Sequence, residues 1–233
     1  MGHTSQVKRT FGTVVSVILI LYLYGCAKPA PPALGGYERL AALEAADAVE
    51  RDRLAWLGAR VEPARGGTHV SLIDLPRDRT DAAILAASRL MDLHSLTLVD
   101  SHPSSGWVSR LSRPPYLRHV AVSGARLSRR DIAALGRLPG LESLHLVGSG
   151  TTDGQLAFLA DRVPGLVELT IAQAPVTDQG AMALRRFERL RVLRLVETRI
   201  SGQAIVRLLL ENPWLIIELG DEDDLVRGGW AMD

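Results

Sequence analysis

The stretch "LESLHLVGSGTTDGQLAFL", Leu141 to Leu159, holds the pattern from which the architecture can be read. Its apolar residues stand at Leu141, Leu144 and Leu146, then at Leu156 and Leu159 after a gap of Gly, Ser and Thr. Leu144 and Leu146 alternate as strand residues do, with both side chains on one face. Leu156 and Leu159 sit three apart, on one face of a helix. The period therefore changes inside nineteen residues, and no single element satisfies it.

The same triplet recurs along the chain. Val70/Ile73/Leu75, Leu93/Leu96/Leu98, Leu117/Val120/Val122, Leu141/Leu144/Leu146, Leu166/Leu169/Ile171, Leu190/Leu193/Leu195 and Trp214/Ile217/Leu219 start 23, 24, 24, 25, 24 and 24 residues apart. Helix-spaced apolar pairs follow at Ile132/Leu135, Leu156/Leu159, Ala181/Leu184 and Ile205/Leu208. Ser128, Thr152, Thr177 and Ser201 precede them as N-caps, and Asp131, Asp153 and Asp178 favour the helix N-terminus. Breakers close several units, as in "LPG" (138–140), "VPG" (163–165) and "NPW" (212–214). Each unit reads as strand, turn, short helix, turn. None buries its own leucines, so neighbours must stack.

The repeated L-x-x-L-x-L of "LESLHL", "LVELTI" and "LRVLRL" resembles the leucine-rich repeats over residues 68–220. The "TDQGAMAL" type of helix lead-in is similar to a 24-residue bacterial subclass, ribonuclease-inhibitor-like or cysteine-containing-like, and "WLGARVEPARGGTHVSLIDL" (56–75) resembles the lead-in of such proteins. The resemblance implies an α/β solenoid of about seven units, with a parallel sheet on its concave side and short helices on its convex side. The familiar repeat carries Asn shortly after the strand; here Ser101, Ala125, Ser149, Ala174 and Thr198 stand there. Ser and Thr bond the backbone weakly and Ala not at all, which predicts a looser turn. The second unit, "SHPSSGWVSRLSRPPY" (101–116), is the least regular.

Residues 1–25 form a leader. Lys8 and Arg9 precede the apolar run "VVSVILILYLYG" (14–25), which has the length of a signal-peptide core and falls short of a membrane span. "LYGC" (23–26) resembles a bacterial lipobox, which implies cleavage before Cys26 and lipid on its thiol, although Tyr24 departs from the usual small residue. An uncleaved membrane anchor is the alternative. Either reading addresses the chain to the bacterial envelope, facing periplasm or exterior. Cys26 is the single cysteine, so no intramolecular disulfide forms. Residues 26–36 are a proline-rich tether that reaches about 30 Å if extended.

Residues 37–67 hold an amphipathic capping helix, with Leu40, Leu43, Ala46, Val49 and Leu54 on one stripe, and the lead-in. Residues 221–233 make an acidic tail whose Asp221, Glu222, Asp223 and Asp224 lack the spacing of a calcium loop. Lys8, Arg9 and Lys28 all precede Tyr37, so the rest of the chain is close to neutral. That balance argues against a nucleic-acid partner.

Function falls on the concave strand residues between the core leucines. The expected central row is Asp74, Thr97, Ala121, His145, Thr170, Arg194 and Glu218. Beside it run Leu72, Ser95, His119, Ser143, Glu168, Val192 and Ile216, then Val99, Ser123, Val147, Ala172 and Val196. His119, Ser143, His145, Glu168, Thr170, Arg194 and Glu218 are the candidate contacts for a protein or peptide partner. These rows hold no Tyr or Trp; Trp107, Trp214 and Trp230 read as packing residues. As metal ligands His119 and His145 would need at least a third donor, for which Glu168 and Ser143 are nearby, and they read instead as two solvated surface histidines. Ser143 with His145 lies on alternate positions of one strand, with no oxyanion-hole motif. "GSGTTDG" (148–154) lacks the lysine of a phosphate loop. The sequence thus predicts a non-enzymatic interaction module without cofactor. A structural spacer and an unrecognised hydrolase or metal site are the alternatives.

Overall fold

The computed structural model describes residues 36–111 and 114–220. The leader, Cys26, the tether before Gly36 and the tail with Trp230 lie outside them. By internal contacts the chain divides into residues 1–42 and residues 43–233. The sheet and the repeats belong wholly to the second unit. No helix among the described residues is long and apolar enough to cross a membrane.

Helix α1 spans Gly36–Leu57. Strands β1 (Arg60–Ala64) and β2 (Gly67–Ile73) form an antiparallel hairpin. Thereafter helix and strand alternate: α2 (Arg77–Ala87), β3 (Leu93–Val99), a 3-10 turn (Trp107–Leu111), β4 (His119–Ser123), α3 (Arg129–Leu135), β5 (Ser143–Val147), α4 (Asp153–Arg162), β6 (Glu168–Ala172), α5 (Asp178–Leu184), β7 (Val192–Val196), α6 (Gly202–Glu211) and β8 (Ile216–Gly220). The eight strands lie in chain order in one sheet, parallel from β2 onward. This is the expected α/β solenoid. In place of a helix the irregular second unit has the 3-10 turn, which buries Trp107, Val108 and Leu111.

One core runs through the stack. Leu96, Val120, Leu144, Leu169 and Leu193, the fourth position of five successive units, are all fully buried. Each contributes roughly 1.5–3 kcal/mol by leaving water. The first unit needs a correction. Val70 pairs with Leu96 and Leu72 with Leu98, so Val70 and Leu72 are its core residues. Ile73 points to the other face and is exposed, and Asp74 lies past the strand end. The hairpin lengthens β2, and a register shift at Thr68/His69 displaces the motif that the triplet pattern expects.

The turn after each strand is closed by the backbone. Asp74, Asp100, Gly124, Gly148, Gln173 and Glu197, each directly following its strand, have φ between 48° and 71°. The amides of the first five donate to the last carbonyl of the next strand, those of Val99, Ser123, Val147, Ala172 and Val196, at 2.9–3.0 Å. Ser101 adds a hydroxyl that accepts from the Leu75 amide at 3.1 Å. The looser turn expected without Asn is therefore not found: inter-strand bonding supplies what the side-chain amide does elsewhere.

The helix caps form as the sequence expects. The side chains of Ser128, Thr152, Thr177 and Ser201 each accept an amide of the first turn. The aspartates have a further role. Asp153 accepts the amide and hydroxyl of Thr177 at 2.8 and 2.6 Å, Asp178 those of Ser201 at 2.6 and 2.8 Å, and Asp81 those of Ser104 at 3.0 and 2.5 Å. Asp153 and Asp178 thus staple their own helix starts to the cap of the next unit, and Asp81 ties α2 to Ser104 ahead of the 3-10 turn. The Ser201 bonds hold the Asp178 carboxyl below the usual range. Gly180 lies over the first staple, where a Cβ would sit 2.4 Å from Asp153 Oδ1. We expect Asp153→Ala to cost about 2 kcal/mol in denaturant unfolding, because two charge-assisted bonds leave a half-buried site.

Helix α1 forms where the sequence places it, but its apolar stripe does not face the repeats. Leu40, Leu43, Ala46 and Val49 are exposed, and of that stripe Leu54 alone is buried, beside Leu57. Leu54 and Leu57 join the core, and the contacts before them are polar. Arg51 meets Asp92 at 2.7 Å, Glu50 meets Arg89 at 2.9 Å, and Asp47 accepts the Met91 amide.

Candidate interaction surface

Parallel pairing aligns the strand residues opposite the core into three rows. His69, Ser95, His119, Ser143, Glu168, Val192 and Ile216 form the first, in strict register. Ser71, Thr97, Ala121, His145, Thr170, Arg194 and Glu218 form the second. Ile73, Val99, Ser123, Val147, Ala172, Val196 and Gly220 form the third. All seven candidate residues stand in the first two rows, on β4 to β8. Leu72 and Asp74 leave the rows, and His69, Ser71 and Ile73 replace them.

The polar members bond along and across strands. His145 Nδ1 lies 2.8 Å from Thr170 Oγ1, and its Nε2 lies 2.8 Å from Ser143 Oγ. Ser143 in turn donates to Glu168 at 3.2 Å. The proton order follows, because a neutral imidazole donates once and accepts once. Ser143 gives its proton to Glu168, so His145 Nε2 donates to Ser143 and Nδ1 accepts from Thr170. That direction is opposite to activating a nucleophile, where the histidine accepts the serine proton. The third group beside the imidazole is also a hydroxyl rather than a carboxylate. The Ser143–His145 bond, absent from the sequence expectation, is a structural bridge. His69 repeats it, with Ser95 at 2.8 Å and Ser71 at 2.7 Å.

Farther along, Arg194 is held between Glu218 at 2.6 Å and Glu168 at 3.8 Å. These partly exposed pairs are worth about 0–1 kcal/mol each and quench one another's charge. At the near edge Arg118 pairs with Glu142, and the His94 and His119 rings lie 5.0 Å apart. His94 escaped the sequence reading because it occupies the second motif position, outside the rows. No group of three or more His, Cys, Asp or Glu able to hold a metal ion occurs among the described residues.

Burial lowers the pKa of His69, His119 and His145. Glu62 opposes the shift at His69. His94 and Arg118 add to it at His119 against Glu168 and Glu142. Arg194 and His119 add to it at His145 against Glu168. Each therefore takes up its proton at a lower pH in the fold than in the unfolded chain, which does so below about pH 6.5. The stability this confers is complete above about pH 6.5 and is lost as pH falls below it. We expect a lower urea midpoint at pH 5 than at pH 7.5, and a smaller difference in His69→Asn/His145→Asn.

No family model matches the chain, and no curated protein matches its sequence. Solved structures similar to it include a protein from Bacteroides fragilis, at 18% identity and a TM-score of 0.43, over 57% of this chain and 42% of that one. Internalin C2 from Listeria monocytogenes is 20% identical with a TM-score of 0.43, over 67% of this chain and 75% of that one. The leucine-rich-repeat protein of Leptospira interrogans is 17% identical with a TM-score of 0.38, over 57% and 39%. The chain spans less than half the length of the first and the last. The class of the fold rests on the chain's own geometry: L-x-x-L-x-L strands, one per unit, stacked in parallel and backed by short helices, make a leucine-rich-repeat solenoid.

Proposed function

We propose that this chain is an envelope-tethered, non-enzymatic interaction module that binds a protein or peptide on its concave sheet. The observation that carries this reading is the rigid sheet face itself: small and polar side chains in fixed register, with half-buried His119, Glu168 and Arg194 standing above them. Such a face suits an extended partner surface. Nucleic acid is the wrong partner for a near-neutral solenoid. The tether rests on the sequence alone, on the leader, Cys26 and the proline-rich segment, with lipid on Cys26 as the anchor.

Capture from membrane extract tests the reading. Full-length chain and a His119→Ala/Glu168→Lys/Arg194→Glu variant are compared, with circular dichroism to show that both fold. A partner held by the first and lost from the second supports concave-face binding. Identical capture, or none, rejects it. Labelling with a radioactive fatty acid, lost in Cys26→Ser, tests the anchor; label that persists rejects lipid attachment at Cys26.

A further inference from the structure

The helices behind the sheet carry charges that their own stability does not explain. Arg129 and Arg130 open α3, the end of a helix where cations are unfavourable. Both are exposed, and no ion pair among the described residues involves them. The Arg129 guanidinium lies over the Phe158 ring of α4, 4.8 Å from its centroid. The guanidinium of Arg162, in the last turn of α4, lies 5.1 Å from the same centroid. Two like charges thus converge on one half-buried ring. Arg137, just past the end of α3, is a further exposed arginine without an ion pair among the described residues. The carboxylates nearest in sequence are engaged elsewhere. Asp131 holds the α3 cap, Asp153 holds the amide and hydroxyl of Thr177, and Asp161 pairs with Arg186 of the next unit at 3.0 Å.

We infer that this surface binds an acidic α-helix of another protein, laid along α3 and α4, with carboxylates seven residues apart and apolar residues between them. The charge calls for an anion, and the spacing selects its form. Arg130 and Arg137 stand seven positions apart, about 10 Å at the helical rise. One phosphate or one carboxylate cannot meet both. Ala133 lies between them on the same stripe, and Phe158 lies beside it on α4, both half-buried. The ligand must therefore set an apolar patch between two negative groups. A helix does so, because residues seven apart share a face about 10 Å apart and those three and four along fall between them. An extended chain covers that distance in about three residues, which puts the two charges on opposite faces. Phe158 is half-buried rather than protruding, so it offers a floor to a partner and not an anchor to a lipid layer. This surface lies on the helices rather than the strands and does not depend on the concave rows.

The test uses full-length chain and a fluorescent sixteen-residue peptide of alanine and glutamine, with glutamates seven residues apart and leucines three and four residues after each. Anisotropy is read at low and moderate salt. We expect saturable binding that is weakened at least tenfold when glutamine replaces the glutamates, when a central proline breaks the peptide helix, or when the protein carries Arg129→Glu/Arg162→Glu. Arg137→Glu, at an exposed position, should weaken it severalfold and keeps the test valid if the double variant misfolds. Absence of binding overturns the inference, as does equal binding of the proline peptide, which would mean charge attraction without a helix. Displacement by inorganic phosphate at an ionic strength where sodium chloride leaves binding intact would make a small anion the occupant. Displacement by phosphatidylglycerol vesicles and not by phosphatidylcholine vesicles would make it an anionic lipid surface. A concentration-dependent dimer abolished by Arg162→Glu would make it a second copy of this chain. Each of these results also overturns it.

Discussion

Replacing Leu169 by alanine should lower stability by about 2–5 kcal/mol and the melting midpoint by roughly 4–20 °C. Leu169 is fully buried on β6, paired in register with Leu144 and Leu193, so units on both sides close over it. Removing three carbons leaves a cavity that cannot collapse without moving two neighbouring strands. The same motif supplies its control. Leu219 is also a motif leucine but is largely exposed, so Leu219→Ala should cost less than about 1 kcal/mol. Equal costs at the two positions would show that burial between units is not what holds the stack. Urea unfolding of both variants in parallel decides it.

Gly136→Ala should cost about 3 kcal/mol, more than its single added methyl suggests. Gly136 follows α3, with ordinary right-handed backbone, so its need for glycine is steric rather than conformational. A Cβ there would lie 2.3 Å from the carbonyl oxygen of Arg162 and 3.1 Å from its carbonyl carbon. Both are backbone atoms of the next unit and cannot rotate aside. The contact arises because α4 has ten residues against seven in α3, so its last turn reaches over the end of its neighbour. An alanine must push the two helices apart. Serine should do at least as much harm. A variant as stable as the parent in thermal unfolding would show that the two helices are not in this contact.

The period of the leucines made most of the fold legible in the sequence, because a motif residue buried from both sides tolerates little else. Units two to seven therefore read in correct register from L-x-x-L-x-L alone. The first unit misled at Ile73 and Asp74. There the chain enters through the β1–β2 hairpin, whose "RGG" turn carries positive φ at Gly66 and Gly67, and a shifted pairing at Thr68 moves the pattern. On α1 the pattern held only at its end: Leu54 is buried, whereas Leu40, Leu43 and Val49 look like a core stripe but are exposed, and Asp47, Glu50 and Arg51 make the remaining contacts. The aspartates at the helix starts were legible as residues but not as staples, since their partners lie 23 or 24 positions away and only stacking brings them together. On the concave face the rows were legible from alternation. The Thr170–His145–Ser143–Glu168 bridge was not, because which hydroxyl a histidine meets depends on side-chain rotation.

The staples carry a consequence for a chain under mechanical load. Each one ties a unit to its immediate neighbour and to nothing farther, so tension along the stack is borne one joint at a time. The joints differ: the cap of α6 receives the Asp178 staple, whereas Asp131 bonds back to the Val108 amide and to its own cap, and among the described residues β8 has a strand on one side alone. Pulled from both termini in an optical trap, the protein should shed its units in succession from the β8 end, as a series of small steps well below the force of a single collective rupture. A molecule strung between a membrane and a partner would then give way gradually and lengthen before it let go.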